Sequence, residues 1–123
     1  MAHILLVEDN PEMRMMLRDL LEWGGHSVTA QRGGEDALAA LGNGIQPDLI
    51  ISDLTMPGTD GLALLQQVRQ EPAWAHIPFI MMSANLSDER LDEAASLGLD
   101  GLLPKPFDLE TLERVLSGDR FSP

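Results

Sequence analysis

Five short apolar runs alternate with five segments whose apolar residues recur at helical spacing. His3–Val7 is the first run and reads as a buried strand. Asn10-Pro11 then has the form of a helix start, an Asn cap before a proline in the first turn. Met13, Met16, Leu17, Leu20 and Leu21 form the inward stripe of that helix, and Gly24-Gly25 ends it. Ser27–Ala30 predicts a short second strand, and Glu35–Leu41 a short helix with Ala37, Leu38 and Leu41 inward, closed by Gly42-Asn43-Gly44. Asp48–Ser52 is apolar enough for a strand buried on both faces. A loop at Met56-Pro57-Gly58 leads to a third helix marked by Leu62, Leu65 and Val68, which must end near Pro72. Ile77–Met82 is the fourth strand, with Pro78 near its start. Ser87 is the expected cap of a fourth helix carrying Leu91, Ala94 and Ala95 and stopped by Gly98. Gly101–Leu103 predicts a short edge strand. Asp108 caps a fifth helix with Leu109, Leu112, Val115 and Leu116 inward, ended by Gly118.

Strands alternating with helices through short connections predict an α/β fold with a parallel sheet. The expectation is a flavodoxin-like, doubly wound (βα)5 architecture whose five strands lie in the order 2-1-3-4-5. One domain takes residues 1–118, leaving 119–123 as a tail or the start of a linker. At 123 residues, with 44% hydrophobic and 23% charged positions, the chain can bury a core, and disorder is not expected.

Charge narrows the partners. Twenty acidic against 8 basic residues give a formal −12, the wrong sign for bare nucleic acid or an anionic membrane surface. Cationic or protein partners fit better, and much of the charge is a solvated face. Without cysteine there is no disulfide, thiolate metal site or Cys nucleophile. No charged n-region or long apolar h-region opens the chain, and no run is long enough to span a bilayer. A cytoplasmic location is the expectation.

The chemistry lies at the strand ends. Glu8-Asp9 follows the first strand, Asp53 the third, Ser83-Ala84 the fourth and Lys105-Pro106 the fifth. In a parallel sheet these carboxyl ends open onto one crevice. Three carboxylates, a hydroxyl and an ammonium converging there suit a divalent metal, a phosphoryl group and an aspartate that accepts it.

Val7-Glu8-Asp9-Asn10, the stretch Asp48–Asp53 running on to Met56-Pro57-Gly58, Ser83-Ala84 and Lys105-Pro106-Phe107 carry a resemblance. Each alone is a weak signal; all of them in order, each at a strand end, are specific. Over essentially its full length the chain resembles the receiver domain of two-component response regulators, of the chemotaxis-regulator type. The resemblance implies that Asp53 accepts a phosphoryl group from a histidine kinase or phosphotransfer protein. It also implies Mg2+, with Mn2+ as a substitute, held by Asp9 and Asp53, by Glu8 through water and by the backbone carbonyl of Thr55. Lys105 is implied to pair with Asp53 and then with the phosphoryl group, Ser83 to be the switch hydroxyl, and the Lys105–Pro106 peptide to be cis. Thr55 and Asn85 match positions that tune phosphoryl lifetime. The expected role is a self-resetting switch acting on a downstream protein or output domain, not a metabolic enzyme. The face from the fourth to the fifth helix is offered as a homodimer surface.

One position departs from the pattern. The family's switching aromatic falls three residues before the lysine, where this chain has Leu102, and the chain contains no tyrosine. The usual hydroxyl–aromatic readout therefore lacks its aromatic member. Two rivals stand beside the main reading. A metal-dependent aspartyl-phosphate phosphatase commonly places a second acid where Thr55 stands. A pseudo-receiver that binds partners without phosphorylation would not need the intact set of acids and lysine. Met13, Met15 and Met16 read as core and near-core filling. Met56 reads as loop packing, and His3, His26 and His76 have no ligand spacing.

Overall fold

The computed structural model describes residues 2–119. Five strands, β1 (His3–Val7), β2 (Ser27–Gln31), β3 (Leu49–Asp53), β4 (Phe79–Ser83) and β5 (Gly101–Pro104), form one sheet in the order β2-β1-β3-β4-β5. Every pair is parallel. The helices are α1 (Pro11–Trp23), α2 (Gly34–Gly42), α3 (Gly61–Gln70), α4 (Arg90–Ser96) and α5 (Leu109–Arg114). The predicted fold class and strand order are those observed.

Side chains alternate across a strand, so each central strand feeds two cores. Leu5, Val7, Ile50, Phe79 and Met81 face Ala37, Leu41, Leu64, Leu65, Val68, Leu91 and Ala94 from α2, α3 and α4. Ile4, Leu6, Leu49, Ile51, Ile80 and Met82 face Leu17 and Leu21 of α1 and Leu112 of α5. That two-sided burial explains why β1, β3 and β4 read as unbroken apolar runs. Each fully buried Leu or Ile contributes about 1.5–3 kcal/mol.

The caps largely follow the sequence. Asn10 accepts the Met13 N–H at 2.9 Å with Pro11 in the first turn, and Asp108 accepts the Thr111 N–H at 2.8 Å. Gly25 supplies the left-handed step after α1, at φ +93°. Asp60, not foreseen as a cap, accepts the Ala63 N–H at 2.9 Å.

Four expectations are corrected. Ser87 does not cap α4: its N–H is held by Asn85, and Asp88 instead accepts the Arg90 N–H at 2.9 Å, so the helix begins only at Arg90. Met15 and Met16 are 60% and 48% exposed, because the inward stripe of α1 narrows to Leu17 and Leu21 with Met13 and Leu20 at its margins. Ala95 and Leu116 are exposed beside the buried Ala94 and Val115. Gly118 does not end the last helix, which continues as a π-helical turn over Val115–Asp119. Residues 120–123 of the expected tail lie outside the described residues. Among those described, no helix is long and apolar enough to cross a membrane.

Candidate functional site

The strand order places β1 between β2 and β3, so the chain leaves β1 to one side and returns on the other. Ligands of open α/β sheets bind at the carboxyl ends of strands flanking such a switch point. Glu8 and Asp9 follow β1 there, and Asp53 is the last residue of β3. One carboxylate oxygen from each of the three lies within 4.8 Å of the others.

Local sequence holds each in place. The Glu8 N–H donates to the Gln31 carbonyl at 3.0 Å, continuing the β1–β2 ladder by one bond. Glu8 Oε2 accepts the Asn10 N–H at 3.0 Å, turning the acid back into the protein. Arg14, one turn into α1, donates to the Glu8 carbonyl at 2.9 Å and more weakly to that of Asp9 at 3.4 Å. Behind Asp53 the first turn of α3 comes so close that a Cβ on Gly61 would strike the Asp53 carbonyl oxygen and lie 2.7 Å from Met81 Sδ. The glycine is what lets α3 seat against β3.

Lys105 reaches in from the end of β5. Its N–H donates to the Ser83 carbonyl at 3.1 Å, and the Lys105–Pro106 peptide is cis. The ammonium donates to Asp53 Oδ2 at 2.6 Å and lies 2.8 Å from Glu8 Oε1. The second contact is an ion pair, so one ammonium is shared between the two carboxylates. Glu8 is fully buried and Asp53 is 4% exposed, whereas Asp9 is exposed.

Burial pushes the Glu8 carboxyl above its ordinary pKa, opposed by Lys105 and the Asn10 N–H and reinforced by the charge of Asp53. Burial pulls the Lys105 ammonium down, but its two carboxylate partners outweigh that and its pKa lies above the ordinary value. Three carboxylates against one ammonium leave an excess of two negative charges among these four side chains. With three clustered carboxylates and an all-oxygen donor set, the residues fit a hard divalent cation such as Mg2+.

The other predicted residues surround this centre without joining it. Ser83 ends β4, but its hydroxyl donates to the Asn85 carbonyl at 2.9 Å and accepts the Asn85 N–H at 3.0 Å. The Asn85 carboxamide oxygen accepts the Ser87 N–H. Leu102 is half-buried and packs on the α2, α3 and α4 core. The Thr55 N–H points at Asp53 Oδ1 from 3.4 Å.

Sequence reasoning missed Arg90. Its guanidinium donates to Thr55 Oγ1 at 2.9 Å and to Asp88 Oδ2 at 2.8 Å from the same nitrogen, and lies 3.6 Å from Asp60 Oδ2. No local signal marks it, since an arginine opening a polar helix is ordinary. A cleft of about 490 Å³ lined by Ile45, Pro47, Trp74 and His76 sits at the opposite ends of the strands and plays no part in this constellation.

Residues 4–117 match the family model described as response regulator receiver domain. The chain is 36% identical over 118 residues to the DNA-binding transcriptional regulator NtrC of Salmonella typhimurium, covering 93% of this chain and 24% of that protein. It is 35% identical over 114 residues to chemotaxis protein CheY-3 of Vibrio cholerae, covering 92% and 87%. Among solved structures, chemotaxis protein CheY4 of Vibrio cholerae, crystallised at low pH, superposes with a TM-score of 0.86 at 33% identity, over 95% of this chain and 97% of that one.

Proposed function

The chain belongs to the response regulator receiver family of two-component signalling, and from that premise we propose that it is a phosphorelay receiver whose acceptor is Asp53. The donor is a phosphohistidine on a histidine kinase or phosphotransfer protein. The observation that carries the reading is the contact of one ammonium, Lys105, with two buried carboxylates, Asp53 and Glu8, at the switch point of the sheet.

An Asp53 oxygen attacks phosphorus, the P–N bond breaks, and its electron pair leaves with the imidazole. Both the attacking carboxylate and the phosphoryl group are anionic, so positioning and charge neutralisation dominate the chemistry. Mg2+, with Mn2+ as a substitute, would be held by Asp9 and Asp53, by Glu8 through water and by the Thr55 carbonyl, and supplies the positive charge that offsets this repulsion when bound. Lys105 orients Asp53 before transfer and turns to a phosphoryl oxygen afterwards. Glu8 is buried and holds the lysine from the other side.

Ser83 is the switch hydroxyl. To donate to a phosphoryl oxygen it must give up its two bonds to Asn85, and the loop between β4 and α4 must move with it. With Leu102 in place of an aromatic, the change reaches partners through the loop and α4, not through a rotating ring. Phosphorylation thereby alters how a downstream protein or output domain is engaged, and hydrolysis of the acyl phosphate resets the domain.

Phosphoramidate carries the same P–N bond as phosphohistidine and tests the transfer without a cognate kinase. A single phosphoryl adduct that needs Mg2+ and is absent from Asp53→Asn is expected. No adduct on a folded, Mg2+-binding wild type would exclude the acceptor role.

A further inference from the structure

Arg90 stands at the mouth of the site with a contact pattern that helix packing does not require. Its Nη2 donates both to Thr55 Oγ1, two residues after Asp53, and to Asp88 Oδ2 on the loop after β4. Its Nη1 faces Asp60 Oδ2, and Asp60 is the residue that caps α3. One planar guanidinium thus ties the loop after β3 to the loop after β4. Asp53, 4% exposed, is the last residue of β3 and Ser83 the last of β4, so the two loops form a rim at the carboxyl ends of those strands. The side chains exposed on that rim include Thr55 and Asn85, and Arg90 is partly exposed among them.

We propose that Arg90 is a positioning residue that sets the lifetime of the phosphorylated state by holding the Thr55 hydroxyl and barring the rim to water. The inference rests on Asp53 being the acceptor. In hydrolysis, water oxygen bonds to phosphorus and the Asp53 O–P bond breaks, its electron pair returning to the carboxylate. The product is hydrogen phosphate, which keeps one proton of the water, and the second proton goes to solvent. In-line attack needs water on the axis opposite the breaking bond. A guanidinium fixed at three points narrows that approach, and because it donates to Thr55 Oγ1, the Thr55 proton stays free to meet a phosphoryl oxygen. Arginine suits the task because its rigid planar fork aims its donors in fixed directions, whereas lysine's three donors rotate about one point charge.

The test follows decay of the adduct after acetyl phosphate is removed, at saturating Mg2+, for wild type, Arg90→Ala, Arg90→Gln, Thr55→Val and the Arg90→Ala/Thr55→Val double variant. Thermal melts verify that each is folded, and Arg90→Gln serves if the alanine variant is not. Arg90→Ala is expected to decay faster by about fivefold, the rate equivalent of losing one exposed charge-assisted contact. If Arg90 acts through Thr55, the double variant decays no faster than the faster single variant, a non-additivity that a purely structural role would not give. Unchanged decay in both Arg90 variants, or fully additive effects with Thr55→Val, would overturn the inference. No adduct on wild type would overturn the acceptor reading and this inference with it.

Discussion

A carboxylate with no exposed surface is normally neutralised or paired. Glu8 Oε2 accepts the Asn10 N–H and Oε1 lies 2.8 Å from the Lys105 ammonium, which is shared with Asp53, so the Glu8 charge is only partly compensated. Its pKa is raised chiefly by burial. A carboxyl whose folded pKa exceeds its unfolded value favours folding below the unfolded pKa and loses that contribution as pH rises through the folded pKa. Metal-free protein should therefore shed stability as pH rises past the elevated Glu8 pKa, and Glu8→Gln should remove that slope. At neutral pH in EDTA the variant should be the more stable of the two, because ionising the buried Glu8 carboxyl no longer opposes folding. Urea melts against pH with and without Mg2+ check both, and Mg2+ should stabilise wild type more than the variant. Glu8, Asp9, Asp53 and Lys105 were legible in the sequence because each directly follows or ends an apolar strand. Arg90 was not, because its contact with Thr55 spans 35 residues of sequence and exists only once two loops are brought together.

At the scale of elements, periodicity identified each strand and helix but overstated the width of three helical stripes. Helix α1 meets the sheet along Leu17 and Leu21, so Met16 at the edge of the stripe stays in solvent. The start of α4 was misplaced because Asn85 and Asp88 both bind the next N–H groups and hold the chain in turns where a serine cap was expected. The hydrogen bonds from Arg90, side chain first and then backbone, hold the Asp88 carboxyl down to about 2, below the ordinary 3.8. A depressed carboxyl contributes above its unfolded pKa and loses that contribution as pH falls toward its folded pKa. Protection of the Arg90 amide should thus persist at pH 4 and fade on approach to pH 2, and Asp88→Asn should remove that acid step. For α3, Gly61→Ala should cost about 1–3 kcal/mol, as overpacking does. A lower urea midpoint with unchanged slope is the expected reading.

Across the whole molecule, the sheet order and two-sided core were readable because three central strands are apolar on both faces, a pattern only a sheet covered on both sides explains. What the pattern does not reveal is how distant segments are fastened. Arg69, at the end of α3, donates to the carbonyls of Ala75 at 3.2 Å, Ile77 at 2.8 Å and Gly98 at 2.9 Å, and to Asp100 Oδ2 at 3.0 Å. Asp100 also accepts the Phe79 N–H, so one arginine binds the entries to β4 and β5. Arg69→Ala leaves these acceptors without their donor, and a global loss of about 2–3 kcal/mol in urea is expected. Arg69 also fixes the chain just past the end of α4, at the Gly98 carbonyl.

All of this turns on one atom group, the Asp53 carboxylate, being the acceptor among three neighbouring acids. Borohydride reduces an acyl phosphate at its carboxyl carbon, converting the modified aspartate to homoserine. After phosphorylation with acetyl phosphate and Mg2+, borohydride treatment and peptide mass analysis, homoserine at position 53 alone is the expected result. Modification at Glu8 or Asp9, or an unmodified peptide at 53 in protein that carries the adduct, would contradict it.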